Sequence, residues 1–239
     1  MRLVELSRSE HAGVRIRSDL AEGSAATEHL IPIVASEFRK AATQYPIVFA
    51  KHPETGRFNT YVLNGLGLNE NLFWTGTELD VTYVPLNVRR QPFYVGDKNA
   101  LCIDLDSPCL EASGTKAIVE TDGRDSAYLK EILSILHELM AGQEATGQFI
   151  TTLLSLDLLT PILLDIRLDD GTPLRLEGLY GIDEERLRQL EERDFLQLRK
   201  SGHLDLIYAV IMANGQIFRL IRLKNQRIAL RRSWHTNPG

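Results

Sequence analysis

The clearest pattern of apolar and polar positions lies just past the middle of the chain. Five apolar side chains recur there at the spacing of one helix face: Leu129, Ile132, Leu133, Leu136 and Met140. Asp125 or Ser126 can cap this helix by accepting hydrogen bonds from free backbone N–H groups, and Gly142 is expected to end it. A second helix is predicted over residues 143–158. It is expected to end there, because Pro161 prevents its continuation.

A hairpin and a short helix are predicted next. Apolar and charged residues alternate over residues 162–168, and Asp170-Gly171 is typical of a tight turn. Alternation resumes after the turn and continues to Tyr180. Asp183 is then expected to cap a short acidic helix that ends near Leu190.

A long helix is predicted toward the carboxyl end, from a cap at Asp194 or Ser201 to about Lys224. Because apolar residues cover much of both faces, we expect this helix at the centre of the fold. Gly215 lowers helix propensity by about 1 kcal/mol, so we expect it to allow close packing of a neighbouring element. The expected buried stripe is Leu204, Ile207, Tyr208, Ile211, Phe218 and Ile221.

The first half of the chain predicts short strands joined by turns. Two strands, 45–51 and 58–66, are separated by the Pro/Gly turn at residues 52–56 and are expected to form a hairpin. Further elements are predicted from short runs: strands at 29–34, 93–95 and 101–105, and helices at 35–43 and 83–90.

This order of elements predicts an α+β fold, with antiparallel hairpins, grouped helices and a central C-terminal helix. One domain is expected over residues 28–226. An irregular segment, residues 1–27, is expected before it, and a basic tail, residues 227–239, after it.

Composition narrows the class of protein. A chain of 239 residues with 44% hydrophobic and 25% charged residues is long enough to build a core without disulfides. Cys102 and Cys109 are expected to be reduced thiols. No apolar run approaches about 20 residues, so no membrane span is expected. Charged residues near the amino terminus argue against a secretory signal, which predicts a cytoplasmic location.

Charge is unevenly distributed, although the net charge is only −5. After Asp205 there are no acidic residues and six basic ones. We expect this basic end to remain solvated or to dock on the acidic segment 157–194. We do not expect it to bind nucleic acid, because the chain lacks the interleaved aromatic residues and the net positive charge of nucleic-acid-binding proteins.

The motifs of several enzyme classes are absent. The chain has no phosphate-binding GxxxxGK[ST] loop and no GxSxG nucleophile motif. Gly65 and Gly67 lack the third glycine of a dinucleotide-binding loop, and His137-Glu138 lacks the second histidine of a zinc protease. Neither a metal nor another cofactor is predicted from motifs.

Isolated polar residues remain candidates for a site. His29, Glu37 and Asp104 are together a competent set for a divalent metal or for acid–base chemistry. Each also has a structural alternative, and we favour these alternatives. His29 would be a half-buried strand histidine, Glu37 a surface charge on a helix and Asp104 a turn residue.

Two further clusters could recognise a ligand. Arg89 and Arg90 suit a carboxylate or phosphate, although salt bridges to acidic residues of the protein are favoured. Asn71 and Trp74 lie in an aromatic and amide loop that either stacks on a ligand or, as we favour, anchors itself to the core.

Several short segments form a recognisable set: 29–38, Ala41-Ala42, Tyr45-Pro46-Ile47-Val48-Phe49, Glu70-Asn71-Leu72-Phe73, Tyr83-Val84-Pro85, Arg89-Arg90-Gln91-Pro92-Phe93, Cys102-Ile103-Asp104, 178–183 and Ile207-Tyr208-Ala209. Taken in order and spacing, they resemble the SapC family of bacterial proteins over about residues 25–225. The family is named for a surface-layer-associated protein. The resemblance implies an association with flavin-dependent tryptophan-halogenase-like proteins, cupin-like proteins and TonB-dependent receptors. It carries over no catalytic residue.

These observations lead to competing functional hypotheses. The first is a cytoplasmic, non-catalytic binding or accessory protein of a bacterial surface or uptake pathway, whose partner is a halogenase-like protein, a peptide or a small metabolite. The second is an enzyme with a dispersed, metal-dependent site that uses His29, Glu37 and Asp104. A structural surface-layer component is the third.

Overall fold

The α+β fold consists of short strands in small antiparallel sheets, packed with one long helix and a group of C-terminal helices. The computed structural model describes residues 1–236, with side chains described up to residue 233. The strands in this part are β1 (Leu3–Glu5), β2 (Arg15–Ile16), β3 (Leu30–Pro32), β4 (Ile47–Lys51), β5 (Phe58–Leu63), β6 (Phe93–Val95), β7 (Leu101–Asp104), β8 (Lys116–Ala117), β9 (Leu159–Pro161), β10 (Leu164–Arg167), β11 (Pro173–Leu176) and β12 (Leu179–Ile182).

The helices are similarly uneven in length. The α-helices are α1 (Phe38–Ala41), α2 (Leu86–Arg89), α3 (Ala127–Ser155), α4 (Glu184–Arg188), α5 (Glu192–Ser201), α6 (His203–Ala213) and α7 (Ile217–Thr236). Short 3₁₀ helices occupy Ser18–Ala25, Ala35–Glu37, Asp97–Asn99 and Asn214–Gln216.

The largest sheet has five strands in the order β3-β5-β4-β12-β9. The predicted β4–β5 hairpin is at its centre, and Phe49 pairs with Thr60. The second predicted hairpin is present as β10–β11, which pairs only with itself in the described part of the chain. Two smaller sheets, β1-β7-β6 and β2-β8, lie in the other part of the fold.

Two hydrophobic cores stabilise these sheets, and α3 contributes to both. The first core lies against the five-stranded sheet and includes Phe38 and Phe149. The second core includes Phe93 and Ile132 and lies near the three-stranded sheet. Helix α3 therefore connects the two cores, because its N-terminal half packs in the second core and its C-terminal half packs in the first.

Residues 1–27 belong to the fold and are not an irregular appendage. β1 pairs with β7, and β2 pairs with β8. Ile16 is fully buried in the second core. The prediction for this segment did not anticipate these pairings because its strands are only two or three residues long.

The predicted break at Gly142 is wrong, because α3 continues through it. A Cβ atom at Gly142 would lie 2.6 Å from Cγ2 of Val34, so the glycine permits a close approach between α3 and the corner after β3. The predicted cap is confirmed at Ser126, whose Oγ accepts a hydrogen bond from the Leu129 N–H at 3.0 Å. Asp125 instead pairs with Arg8.

The C-terminal helix differs from its prediction in three ways. It is divided into α5, α6 and α7 by Gly202, which has a φ of 78°, and by the 3₁₀ segment Asn214–Gln216. The expected buried stripe is only partly correct, because Phe218 is 73% exposed whereas Leu220 is fully buried. Gly215 has no close neighbour on its Cβ side, so it permits no close packing.

The basic end of the chain docks on the loop 64–81 and also reaches the expected segment 157–194. Lys224 Nζ lies 2.6 Å from Oε1 of Glu70, and Arg227 donates to the Trp74 carbonyl at 2.6 Å. In the segment 157–194, the Asp169 N–H donates to Asn225 Oδ1 at 3.2 Å. Hydrogen bonds from Thr172 and, to a lesser extent, the charge of Arg232 lower the pKa of Asp170. Residues 227–236, expected as a tail, continue α7, and the end of that predicted tail lies outside the described residues.

The stretch from His203 to Ser233 is, by length and composition alone, helical and apolar enough to cross a membrane. This is weak support for a span, because a core helix of a soluble protein meets the same test. In the fold, Ile207 and Val210 of this stretch are fully buried in the first core, although only 22% of its apolar window is buried.

We expect Gly142→Ala to destabilise the protein by about 1–3 kcal/mol, because the added methyl group meets the short, stiff side chain of Val34. Gly147→Ala in the same helix is the matched control, since no atom lies within 4 Å of its Cβ position. That control should stabilise the protein by up to about 1 kcal/mol through helix propensity. Urea melts measure both effects, and equal stabilisation by the two substitutions would contradict the close approach.

We expect Leu220→Ala to cost about 2–5 kcal/mol of unfolding free energy, because it removes a fully buried side chain of α7. Met212→Ala, on the outer face of α6 where Met212 is 76% exposed, should change stability by less than about 0.5 kcal/mol. Thermal and urea melts compare the two variants. A comparable loss in both would show that the outer face is buried in solution.

Candidate functional site

A buried carboxylate at Glu37 organises the region around the candidate site. Glu37 ends the 3₁₀ turn after β3 and is 1% exposed. Its Oε2 accepts the Val34 N–H at 2.8 Å. Its Oε1 accepts the Tyr83 hydroxyl at 2.9 Å and the Leu86 N–H at 2.8 Å. Glu37 is therefore an internal acceptor and not the surface charge favoured from the sequence.

Burial dominates the electrostatics of this carboxylate. It raises the pKa of Glu37 because the charged form is poorly solvated, and this outweighs the opposing effect of its three hydrogen-bond donors. Burial is also the main reason that the pKa of Tyr83 is raised, and the neighbouring Glu37 charge adds to that shift.

Glu37 fixes the start of α2, and α2 forms one wall of a cleft. This cleft, which we term the α2–α3 cleft, has a volume of about 360 Å³ and lies between α2, α3, β8 and the 3₁₀ helix Ser18–Ala25. It contains side chains of both cores. Its lining is Ser18, Ala21, Glu22, Val84, Val88, Arg89, Lys116, Tyr128, Glu131 and Ile132.

Charged groups of both signs line the α2–α3 cleft. Arg89 donates from Nη2 to Oε1 of Glu131 at 3.1 Å, and both side chains are solvent-accessible. Lys116 is exposed. Glu22 accepts the Leu79 N–H at 2.7 Å through Oε2. The cleft therefore offers two cationic and two carboxylate groups to a ligand.

The hydroxyl of Tyr128 is the unusual group in this cleft. It is buried and has no hydrogen-bond partner among residues 1–233. Burial raises the pKa of Tyr128, so the phenol stays protonated and retains its donor. An unsatisfied buried polar group costs about 1–3 kcal/mol, and a ligand acceptor would remove that cost.

Sequence reasoning identified Arg89 in this cleft but missed Tyr128, Lys116 and Glu131. Tyr128 directly follows the first residue of α3 and precedes the apolar stripe, so its position in the helix pattern was visible. The sequence could not show that the Tyr128 hydroxyl lacks a hydrogen-bond partner, because this depends on which elements pack around it.

The other candidates for a dispersed metal site have separate surroundings. Asp104 ends β7, and its Oδ1 accepts the Arg2 N–H at 2.7 Å and the Asp106 N–H at 3.1 Å, which is the role of a turn residue. His29 lines a different cavity. Among the described residues, no group of three or more His, Cys, Asp or Glu side chains could hold a metal ion.

The remaining candidates hold loops in place. Asn71 is buried, donates to the Ala25 carbonyl at 2.8 Å and accepts the Phe73 N–H at 2.9 Å. Trp74 packs partly buried against the first core. Both residues therefore anchor their loop, as favoured from the sequence.

Arg90 differs from its neighbour Arg89. Its guanidinium lies 4.2 Å from the centre of the Tyr94 ring and donates to the Phe93 carbonyl at 2.7 Å and to Asn87 Oδ1 at 2.9 Å. Burial lowers its pKa. The salt bridge favoured from the sequence forms at Arg89, whereas Arg90 binds uncharged groups and stabilises the α2–β6 connection.

The similarity to known proteins covers nearly the whole fold. The SapC family model matches residues 6–220. This span includes the α2–α3 cleft, Glu37 and every candidate residue discussed above. No curated protein and no solved structure matches the chain.

We expect the contribution of Glu37 to stability to decrease as the pH rises. Because burial raises its folded pKa above the ordinary value, the native state retains the proton at a higher pH than the unfolded state does. This contribution is fully present below the unfolded pKa and is lost as the pH rises through the folded pKa.

Urea melts of the parent protein and Glu37→Gln, between about pH 4 and pH 8, measure this contribution as the difference in unfolding free energy. The difference should favour the parent protein most at the acidic end. Glu144→Gln, which removes an exposed carboxylate from α3, is the matched control. A difference that grows with pH would show that the three donors outweigh burial.

Proposed function

The chain belongs to the SapC family, and from this premise we propose that it is a non-catalytic binding protein that holds a small metabolite or the end of a peptide in the α2–α3 cleft. The observation that carries the proposal is Tyr128, a residue of the cleft lining whose buried hydroxyl has no partner within residues 1–233. Buried polar groups are otherwise nearly always hydrogen-bonded, so an unpaired one in a cleft marks a position for a ligand atom.

The charges around Tyr128 define the chemistry of the ligand. A carboxylate fits the fork of Arg89 and the ammonium of Lys116. The exposed Arg89–Glu131 pair contributes little to stability, so a ligand carboxylate replaces Glu131 at small cost. Glu22, together with Glu131 once it has separated from Arg89, can then pair with an ammonium group of the ligand. A zwitterion, such as a free amino acid, satisfies both sets of charges.

A wider role follows from the resemblance described above. We propose that the protein acts in the cytoplasm of a bacterium as an accessory to a surface or uptake pathway, beside a halogenase-like enzyme or a TonB-dependent receptor. Binding of a small metabolite is consistent with such a role, because an accessory protein of this type would carry or report the molecule that the pathway handles.

The enzyme hypothesis has no comparable support. His29, Glu37 and Asp104 each have separate surroundings, and the carboxylate of Glu37 is occupied by three donors from its own protein. The α2–α3 cleft presents groups suited to hold charges, and Tyr128, with its raised pKa, remains a donor at neutral pH.

Thermal-shift screening of the free amino acids, short dicarboxylic acids and tripeptides tests the proposal, followed by calorimetric titration of the compounds that stabilise the protein. We expect Tyr128→Phe and Arg89→Met each to weaken binding by about tenfold or more, since each removes a hydrogen bond to the ligand. Arg57→Met, at an exposed arginine in the β4–β5 turn, should bind as the parent protein does.

The stability of Tyr128→Phe gives a second readout. It should equal or exceed that of the parent protein without ligand, because the substitution removes an unsatisfied hydroxyl. The proposal fails if no compound of the panel binds, or if both cleft variants bind as tightly as the parent protein.

A further inference from the structure

A second cavity lies between the five-stranded sheet and the β10–β11 hairpin. Its inner chamber has a volume of about 220 Å³ and an aliphatic lining that includes Val48, Leu63, Ile162, Leu164, Leu176 and Ile217. Its outer chamber, about 290 Å³, shares Leu63, Leu176 and Leu179 with the inner one. We term the two chambers together the hairpin cavity.

The hairpin that covers this cavity is suited to admit a ligand. β10 and β11 pair only with each other in the described part of the chain, so no third strand restrains them. Their residues alternate, with half-buried Leu164 and Leu176 in the wall of the inner chamber and exposed Asp165 and Arg175 outside that chamber. The hairpin can therefore shift without breaking the ladder of the five-stranded sheet.

The lining of the inner chamber selects hydrocarbon. The lining is apolar apart from Asn214, and apolar side chains supply few of the hydrogen bonds that an ordered water needs, so this chamber favours apolar guests. The larger of the two chambers, about 290 Å³, is close to the lower end of the range of cavities that bind small ligands, about 300–1,000 Å³. An aliphatic chain fits such a lining.

The outer chamber carries the polar groups, and these define the other end of the ligand. Arg175 is engaged, since its Nε lies 3.0 Å from Glu177 Oε1 and 3.7 Å from Asp165 Oδ1. The half-buried ring of His29 also lines this chamber, and it makes no hydrogen bond among residues 1–233. An imidazole without a partner can hydrogen-bond a carboxyl group, either as a donor or as an acceptor.

We propose that the hairpin cavity binds an aliphatic monocarboxylic acid, with the chain in the inner chamber and the carboxyl group at His29. The carboxyl group then lies in the outer chamber beside His29, and the chain lies between the sheet and Leu164. This site is separate from the α2–α3 cleft, and the two proposals do not depend on each other.

Calorimetric titration with octanoate and with 1-octanol tests the site. We expect octanoate to bind the parent protein, and Leu164→Trp to weaken binding at least about tenfold, because the indole occupies the inner chamber. Leu163→Trp is the matched control, since Leu163 precedes β10 and is 77% exposed, and it should bind as the parent protein does. His29→Phe should weaken the binding of octanoate about tenfold but not that of octanol.

Intermolecular nuclear Overhauser effects from octanoate to the methyl groups of Val48 and Leu164 give a readout that does not depend on a variant folding. The proposal is overturned if octanoate does not bind at millimolar concentration, or if its chain contacts neither residue. Equal loss of octanoate and octanol in His29→Phe would overturn the assignment of the carboxyl group to His29.

Discussion

The arrangement of this fold depends on one buried carboxylate. Glu37 accepts hydrogen bonds from Val34, Tyr83 and Leu86, and so joins the corner after β3 to the loop that leads into α2. Without these oxygens, two backbone N–H groups would be buried without partners, which is costly. Since α2 carries Arg89 and forms a wall of the α2–α3 cleft, the position of the cleft follows from this contact.

The same corner also positions α3. Gly142 lets the helix approach Val34, and Thr146 Oγ1 accepts the Ala35 N–H at 2.8 Å. Because α3 packs in both cores, fixing it at this corner fixes the spacing between the cores and therefore the width of the cleft. The hairpin cavity, in contrast, is not bounded by α3 but by the five-stranded sheet and the β10–β11 hairpin. The two cavities differ in chemistry: the cleft is lined by opposite charges, whereas the inner chamber of the hairpin cavity is lined mainly by aliphatic side chains.

Local features were predictable from the sequence, and long-range ones were not. The two hairpins and the caps at Ser126 and Asp183 are confirmed, because each depends on residues only a few positions apart. Gly142 was wrongly predicted as a helix end, since a glycine that permits close packing has the same sequence pattern as one that stops a helix. Of the candidate residues, Arg89 and His29 line cavities, whereas Asn71, Arg90 and Asp104 hold loops and turns.

The sequence by itself determined the α+β class, the order of most elements and membership of the SapC family, because these depend on periodicity, turn residues and short motifs read along the chain. Only the tertiary structure decided that Glu37 is buried and that Tyr128 lacks a partner. The donors to Glu37 from Tyr83 and Leu86 lie 46 and 49 residues away along the chain. Contacts over such separations arise from how the elements pack, and no spacing of residue types encodes them.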